Sequence, residues 1–176
     1  MLDANWTNIG LAYFELSDFN ESMTALQQAL QLNPRCIPAI INLALVHKQL
    51  GVFEKATALL EEVINRIDPK EHSAYNNLAN IHHEQGKYEQ AALLYLQSLE
   101  LEPNDDDALC NLGMVLQRIS YNDFAKIAYE EGIHINPGNR ALLHNYLLFL
   151  LEIKQFVKFN TVITHAKRVL DGADIA

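Results

Sequence analysis

The stretch HSAYNNLANIHHEQGKYEQAALLYLQSLELEPND, residues 72–105, contains the pattern that decides the fold. Its apolar residues recur at spacings of three and four, which places their side chains on one face of an α-helix. Gly86 interrupts the pattern near its middle, and Pro103 follows its end. Glycine suits a turn between helices and proline stops a helix, so the stretch predicts two helices joined by a tight turn.

The same pattern recurs along the chain with a period of 34 residues, the length from 72 to 105. The five frames are 3–36, 37–71, 72–105, 106–139 and 140–173. The second frame holds one extra residue, because Pro69 falls one place later in it than Pro34 does in the first frame. In repeats of this length each unit buries its apolar face only against its neighbours. We therefore predict an all-α stack of five helix hairpins over residues 3–173.

Two kinds of position define the predicted packing of each frame. The fourth, seventh and eleventh positions form the buried face of the first helix and are apolar in most frames, as in Trp6, Ile9 and Tyr13. The eighth and twentieth positions are small in four frames, with Gly10, Ala44, Ala79 and Gly113 at the eighth and Ser22, Ala56, Ala91 and Ala125 at the twentieth. Small residues let two backbones approach closely, so we predict that the two helices of a frame cross there.

These residues resemble the pattern of the tetratricopeptide repeat (TPR) family. The resemblance is carried by Trp6, Ile9, Gly10, Tyr13, Leu26, Ala29 and Pro34 in the first frame and by Tyr75, Leu78, Ala79, Gly86, Tyr88, Ala91, Tyr95 and Pro103 in the third. It implies a right-handed α-solenoid of ten helices, whose first helices line a concave groove that binds protein or peptide partners. The fifth frame departs from the pattern at Leu147 and Asp171, so we expect a degenerate or terminal hairpin there.

One position of the predicted groove holds the same residue in every frame. The sixth position is Asn8, Asn42, Asn77, Asn111 and Asn145. A carboxamide carries both donors and an acceptor, so it can pair with the N–H and C=O of an extended peptide whatever the peptide's side chains are. The column also resembles the asparagine ladder in the TPR superhelix of O-GlcNAc transferases. We predict a peptide-binding ladder; the alternative is that these amides bond to local backbone groups or water.

Further positions of the first helices are expected to give the groove its specificity. They are Leu11, Leu45, Asn80, Met114 and Leu148 at the ninth position, together with Lys48, His83 and Arg118 near the helix ends. The apolar members predict either ligand pockets or ordinary helix packing.

Composition and charge exclude several classes of protein. Apolar residues make up 49% of the 176, which argues against a disordered acidic chain, and two cysteines cannot form the disulfide framework of a small secreted fold. The net charge of −9 disfavours a phosphate-binding surface, so we expect no nucleic-acid partner. The first ten residues lack the order of a secretory signal, and residues 141–153 are too short to cross a bilayer. We therefore expect a cytoplasmic or nuclear protein that does not insert into membranes.

The sequence contains no motif for catalysis or metal binding. His47 and His82 fall at the predicted buried eleventh position, which favours structural histidines over metal ligands. The acidic residues between Glu100 and Asp107 favour a capped helix start, with a patch for a basic partner as the alternative. We thus predict a chain that is not an enzyme and binds no cofactor or metal.

The function predicted from the sequence is that of a protein-interaction module, which holds an extended segment of a partner in the concave groove. Two alternatives remain at this stage. The chain can be a scaffold that self-associates through the ends of its array, or the substrate-recognition arm of a larger multidomain protein.

Overall fold

The structure, a computed structural model, describes residues 2–170, and the side chains of residues 2–169. The described residues form ten helices: α1 (Leu2–Glu15), α2 (Phe19–Leu32), α3 (Ile37–Gln49), α4 (Phe53–Glu62, continued by a π-helical turn, Val63–Ile67), α5 (His72–Glu84), α6 (Tyr88–Leu101), α7 (Asp106–Arg118), α8 (Asn122–Ile135), α9 (Arg140–Glu152) and α10 (Phe156–Leu170). The predicted all-α fold with two helices per frame is confirmed. Asp171 and the rest of the fifth frame after it lie outside the described residues.

The chain divides after Gly86 into two compact units. In the first unit α1 packs on α2, α3 packs on α4, and these two hairpins and α5 contact one another in chain order. In the second unit α6 packs on α7, and the hairpins α7–α8 and α9–α10 pack on each other. Within each unit neighbouring first helices also touch, so α1 contacts α3, α3 contacts α5 and α7 contacts α9.

The predicted crossing of first and second helices occurs at the small residues. Ser22 Oγ donates a hydrogen bond to the Gly10 carbonyl over 2.7 Å, which joins α2 directly to the backbone of α1. A Cβ atom on Gly10 would lie 2.6 Å from Leu26 Cγ, and one on Gly113 would lie 2.7 Å from the Tyr129 ring. Both of these neighbouring side chains are fully buried, so neither has room to move away.

The prediction of a buried face on the first helix is wrong for the first frame. Trp6 is 38% exposed, and Ile9 and Tyr13 are exposed to a similar degree. In the second frame, by contrast, Leu43 is buried in a cluster with Leu26 of α2, the second helix of the preceding hairpin. No helix precedes α1 in the part of the chain that the structure describes, so its face has nothing to pack against.

The turn between the two helices of a frame has the same backbone shape throughout. The fifteenth position has a positive φ of 58–74° in every frame, at Ser17, Gly51, Gly86, Ser120 and Lys154. After α7 the Tyr121 N–H donates to the Leu116 carbonyl five residues back, over 2.8 Å, and the same bond closes the turns after α1, α3 and α9. This is the hydrogen-bond pattern of a Schellman motif, which requires a left-handed residue.

The extra residue of the second frame is accommodated by the π-helical turn at the end of α4. The Asp68 N–H donates to the Val63 carbonyl, five residues back, over 2.8 Å. At the same place in the first frame the Asn33 N–H donates to the Ala29 carbonyl, only four residues back. Val63 and Ala29 are both fully buried, so the packing register is kept and the insertion lies between Val63 and Asp68.

The acidic stretch before α7 caps that helix, as one of its two interpretations expects. Asp105 accepts a hydrogen bond from the Ala108 N–H over 2.9 Å, which satisfies one of the free amides of the first turn. Asp106 accepts a hydrogen bond from the Asn139 side chain over 2.7 Å, which joins the start of α7 to the start of α9.

The degenerate fifth frame keeps two packed helices. Tyr146 and Phe149 of α9 are fully buried and lie against Tyr129 of α8, with ring centroids 5.5 Å from the Tyr129 ring in each case. Val162 and Ala166 of α10 are buried as well. Glu130 joins the three helices, because its Oε1 accepts from the Tyr146 hydroxyl over 2.8 Å and lies 3.0 Å from Lys158 Nζ.

Candidate functional site

The asparagine column lies on the first helix of each frame. Asn8 is exposed on α1, whereas Asn42, Asn77, Asn111 and Asn145 are half-buried on α3, α5, α7 and α9. Three of these side chains belong to the first unit and two to the second. The four half-buried residues are therefore partly accessible to solvent.

Two members of the column use their amide hydrogens within the protein. Asn77 Nδ2 donates to the Ser73 carbonyl over 2.8 Å, one turn earlier in α5. Asn145 Nδ2 lies 3.3 Å from both Cys110 Sγ and Met114 Sδ of α7, and sulfur accepts hydrogen bonds only weakly. The Oδ1 atoms take no part in these bonds. Both amides therefore bond locally through Nδ2, and these bonds do not involve Oδ1 or the second amide hydrogen of Asn77.

The contacts of Asn145 place it in the seam between two first helices. Its amide reaches from α9 across to α7, where Met114, another predicted groove residue, lies beside it. Burial raises the pKa of the Cys110 thiol and the hydrogen bond from Asn145 opposes that shift, so Cys110 remains an uncharged thiol near neutral pH. The structure thus brings Asn145 and Met114 together around a neutral, weakly polar surface.

Polar side chains tie neighbouring first helices together at their C-terminal ends. Lys48 Nζ of α3 lies 2.9 Å from Glu84 Oε1 of α5. In the second unit Gln117 Nε2 of α7 donates to Glu152 of α9. Both pairs join the twelfth position of one frame to the thirteenth of the next. Lys48 was predicted as a groove residue, but its side chain is only 16% exposed and its charge is neutralised within the fold.

Glu84 and Glu152 do not stand out in the sequence when the positions of a frame are compared one at a time. The signal that identifies them is a complementary pair at the twelfth and the following thirteenth positions. Each pair links two neighbouring first helices at their C-terminal ends.

The remaining predicted groove residues differ in exposure. Leu11 and Leu148 are exposed, as is Arg118 at the last residue of α7, and Leu45, Asn80, His83 and Met114 are half-buried. This set combines apolar side chains with the Asn80 amide, the His83 imidazole and the Arg118 guanidinium.

The described residues contain no group of three or more histidine, cysteine or acidic side chains that could hold a metal ion. His47 is half-buried, and burial lowers its pKa, which favours the neutral imidazole. In the same part of the chain, no helix is both long and apolar enough to cross a bilayer.

Family models match three segments of the chain. The model described as "TPR repeat" matches residues 79–120, and two described as "Tetratricopeptide repeat" match residues 5–36 and 59–92. The matched segments fall in both compact units.

Curated relatives are distant and much longer than this chain. Protein O-mannosyl-transferase TMTC3 of Mus musculus is 27% identical over 164 residues, which cover 85% of this chain and 18% of that protein. General transcriptional corepressor ssn6 of Schizosaccharomyces pombe is 22% identical over 138 residues, which cover 77% of this chain and 12% of that protein. The chain therefore spans less than a fifth of the length of these relatives.

Solved structures share the fold over nearly the whole chain. Pseudomonas aeruginosa pilF superposes with a TM-score of 0.86 at 19% identity, covering 96% of this chain and 76% of that one. MamA gives 0.76 at 19% identity with 99% and 97% coverage, and a thermophilic TPR protein from Thermus thermophilus gives 0.77 at 16% identity with 94% and 90% coverage. The family models show that the chain contains tetratricopeptide repeats, and the likenesses to solved structures show that it shares their helical fold.

Proposed function

We propose that this chain is a protein-interaction module that binds an extended segment of a partner protein along the asparagine column. The observation that carries the proposal is the asparagine at the sixth position of all five frames, on the first helix each time. The neighbouring columns vary, whereas this one holds the same residue in every frame. A constant residue can bind the feature that all ligand sequences share, namely the peptide backbone.

The hydrogen bonds of two asparagines of the column indicate which of their atoms would contact a peptide. Asn77 donates one of its two amide hydrogens within α5, and the amide group of Asn145 faces two sulfur atoms, so the Oδ1 atoms of both would accept hydrogen bonds from peptide N–H groups. Each such bond contributes about 0.5–1.5 kcal/mol net, and ordering the peptide opposes binding. The column therefore sets the register of a ligand more than its affinity.

Selectivity among peptides would come from the side chains that flank the column. Leu11 and Leu148 are exposed in the first and second unit, respectively, and Met114 lies beside Asn145. These residues favour apolar side chains on the ligand. The pairs Lys48–Glu84 and Gln117–Glu152 would act as positioning groups that keep the first helices apart at a fixed distance.

The proposal is tested with peptides selected from a displayed library of about twelve random residues, since an extended chain rises about 3.3 Å per residue and twelve reach across several first helices. Replacing both Asn111 and Asn145, which belong to the second unit, with Ala should weaken the selected peptides by about 1–3 kcal/mol. The matched control replaces Gln31 and Gln97, exposed amides on second helices, and should leave the affinity unchanged. Unchanged binding to the asparagine double variant would refute the ladder.

A self-associating scaffold is the second candidate function. The face of α1 formed by Trp6, Ile9 and Tyr13 is exposed, whereas Leu43, the equivalent of Ile9 in the second frame, packs in a cluster with Leu26 of the preceding helix. A helix of another copy of the chain would cover this face. Sedimentation of the wild-type chain and of Trp6→Asp at tens of micromolar separates the two functions. If both sediment as monomers of the same mass, assembly through α1 is ruled out.

A substrate-recognition arm of a larger protein is the third candidate, and the relatives named as O-mannosyl-transferases support it. In that case the asparagine column would hold the acceptor protein while chemistry occurs elsewhere. The distinguishing measurement uses a longer natural chain that contains this segment. Asn77→Ala should weaken its binding of the acceptor, seen as a raised KM with unchanged kcat.

We place the protein in the cytoplasm or nucleus, because Cys36 and Cys110 are both free and buried.

A further inference from the structure

The second unit carries an apolar groove on its second helices, away from the asparagine column. The groove has a volume of about 610 Å³ and runs between α6 and α8, with α7 beneath it. Its walls include Leu93 and Leu96 of α6 and Phe124 and Ile127 of α8. Leu93 and Phe124 are each 63% exposed, so the groove is an open surface rather than an enclosed cavity.

The walls and floor of the groove form helical stripes. On α6 the lining residues run from Glu89 to Leu99, and on α8 they run from Phe124 to Glu131 at spacings of three and four. The ten steps from Glu89 to Leu99 give a wall about 15 Å long, since a helix rises about 1.5 Å per residue. Leu112 and Leu116 of α7 close the floor and are almost completely buried. A contiguous exposed apolar surface of this kind marks an interaction site.

The chemistry of the lining selects a helical occupant. The lining residues lie on helices or in the turn between α7 and α8, where the Ile119 and Tyr121 N–H groups are also bonded, and the lining side chains are almost entirely apolar. An extended peptide would bury its own N–H and C=O groups against these walls without partners, at a cost of about 1–3 kcal/mol for each group. A helix satisfies its backbone internally and can place an apolar stripe into the groove.

The charged residues at the rim of the groove indicate which residues should flank the apolar stripe of that helix. The charged residues of the lining are Glu89, in the first turn of α6, and Glu131, in the last turn and a half of α8. Both are exposed, and neither is engaged in an ion pair with another described residue. Basic residues beside the apolar stripe would complement these carboxylates. Anionic lipid head groups would be repelled by them, which argues against a membrane surface.

From this geometry we propose that the groove between α6 and α8 is a docking site for an amphipathic helix of a partner protein, about three turns long, with lysine or arginine flanking its apolar stripe. The site is independent of the asparagine column, which lies on the first helices. One module would then bind two segments of different conformation.

The test uses two synthetic helical peptides on the full chain. Both carry leucine at positions i, i+3, i+4 and i+7 with alanine and glutamine between, and one has lysines at both ends while the other has glutamates. Fluorescence anisotropy at low salt should show micromolar binding of the lysine-flanked peptide, at least about tenfold tighter than that of the other, with the preference shrinking as salt is added. Circular dichroism should show a gain of peptide helicity on mixing.

Variants of the chain assign the binding to the groove. Leu93→Asp and Phe124→Asp should each weaken the lysine-flanked peptide by about tenfold or more, the usual loss for an apolar anchor. Val157→Asp is the matched control, because Val157 is 85% exposed on α10 outside the groove, and it should leave the affinity within about twofold. The double variant Glu89→Lys, Glu131→Lys should reverse the preference toward the glutamate-flanked peptide. Far-UV circular dichroism of each variant confirms that the fold is kept.

Four results would overturn the proposal. They are no binding of the lysine-flanked peptide at the highest soluble concentration, equal binding of both peptides, unchanged affinity in Leu93→Asp, and a dimer of the wild-type chain that Leu93→Asp converts to a monomer. The last result would mean that a second copy of the chain covers the groove.

Discussion

At the fifteenth position of a frame, replacing a non-glycine residue with glycine should stabilise the fold, and replacing glycine with alanine should destabilise it. Ser120 and Gly51 occupy equivalent turns, with φ of 63° and 73°. Ser120→Gly removes a side chain from a left-handed residue, and Gly51→Ala adds one. The two variants lie in different compact units, so their effects should be independent.

The size of each effect follows from two opposing free energies. A non-glycine residue in the left-handed region costs about 1–2 kcal/mol, whereas glycine loses about 0.5–1 kcal/mol more backbone entropy on folding. The difference predicts that Ser120→Gly stabilises the fold by about 0.5–1 kcal/mol and that Gly51→Ala destabilises it by a similar amount. No described atom lies within 4 Å of a Cβ built on Gly51, so its loss contains no clash.

Urea unfolding followed by far-UV circular dichroism measures these changes, with the slope of the transition checked for each variant. Gly86→Ala serves as a repeat of the Gly51 measurement, because a Cβ there also meets nothing among the described residues. The reasoning is refuted if Ser120→Gly lowers the unfolding midpoint, or if both alanine variants unfold at the wild-type urea concentration.

Three further predictions concern packing, register and charge. Gly113→Ala should lower the free energy of unfolding by about 1–2 kcal/mol in the same assay, because overpacking against a fully buried tyrosine ring outweighs the gain in helix propensity; a more stable variant would contradict this. Deleting Asn65 should convert the π-helical turn into regular α-helix and keep the fold, whereas deleting Thr57 should unfold the hairpin, as circular dichroism would show; equal damage from both would contradict the location of the insertion. Burial alone would raise the pKa of Glu130, but hydrogen bonds from Tyr146 and Lys158 prevail and lower it below 4.5. The carboxylate therefore stabilises the fold above about pH 4.5, and this contribution disappears as the pH falls through the lowered pKa. Glu130→Gln should reduce the melting temperature at pH 7 and show a smaller further loss than wild type between about pH 5 and 3; parallel curves would contradict it.

The sequence predicts the helix crossings because residue size is visible in it. Gly10 and Ser22 are small, and the structure shows them in contact through a hydrogen bond of 2.7 Å. The backbone shape of the turns is only partly visible. Gly51 and Gly86 indicate a left-handed residue, but nothing in the identity of Ser120 does so, because its conformation is imposed by the Schellman hydrogen bonds around it.

Counting residues reveals the extra residue of the second frame but does not give its position. The displaced Pro69 reveals that an insertion exists, but the sequence allows it anywhere between the turn and the proline. The structure locates it after Val63, because the buried side chains before that point keep the register of the other frames. A π-helical turn absorbs one residue without rotating the preceding helix, so packing selects the position.

The sequence predicts which positions of the candidate site hold asparagine, but it does not predict the hydrogen-bond partners of these residues. Asn77 and Asn145 share a position, yet Asn77 bonds to its own helix and Asn145 lies against sulfur atoms of α7, the preceding first helix. The difference arises from the neighbours, since α7 presents Cys110 and Met114 where Asn145 meets it. Contacts of this kind depend on pairs of positions in adjacent frames, and a position-by-position comparison does not contain them.

The two proposed surfaces differ in the one property that decides which ligand conformation they accept. An extended segment keeps unpaired backbone groups, so it needs a surface that supplies hydrogen bonds, and in our proposal the Oδ1 atoms of Asn77 and Asn145 would accept from its N–H groups. A helix has paired its backbone already and gains most from apolar contact, which Leu93 and Phe124 provide. Because first and second helices of the repeat carry different columns, the fold can vary these two chemistries independently. A substitution that abolishes binding of one class of segment should therefore leave the other class unaffected.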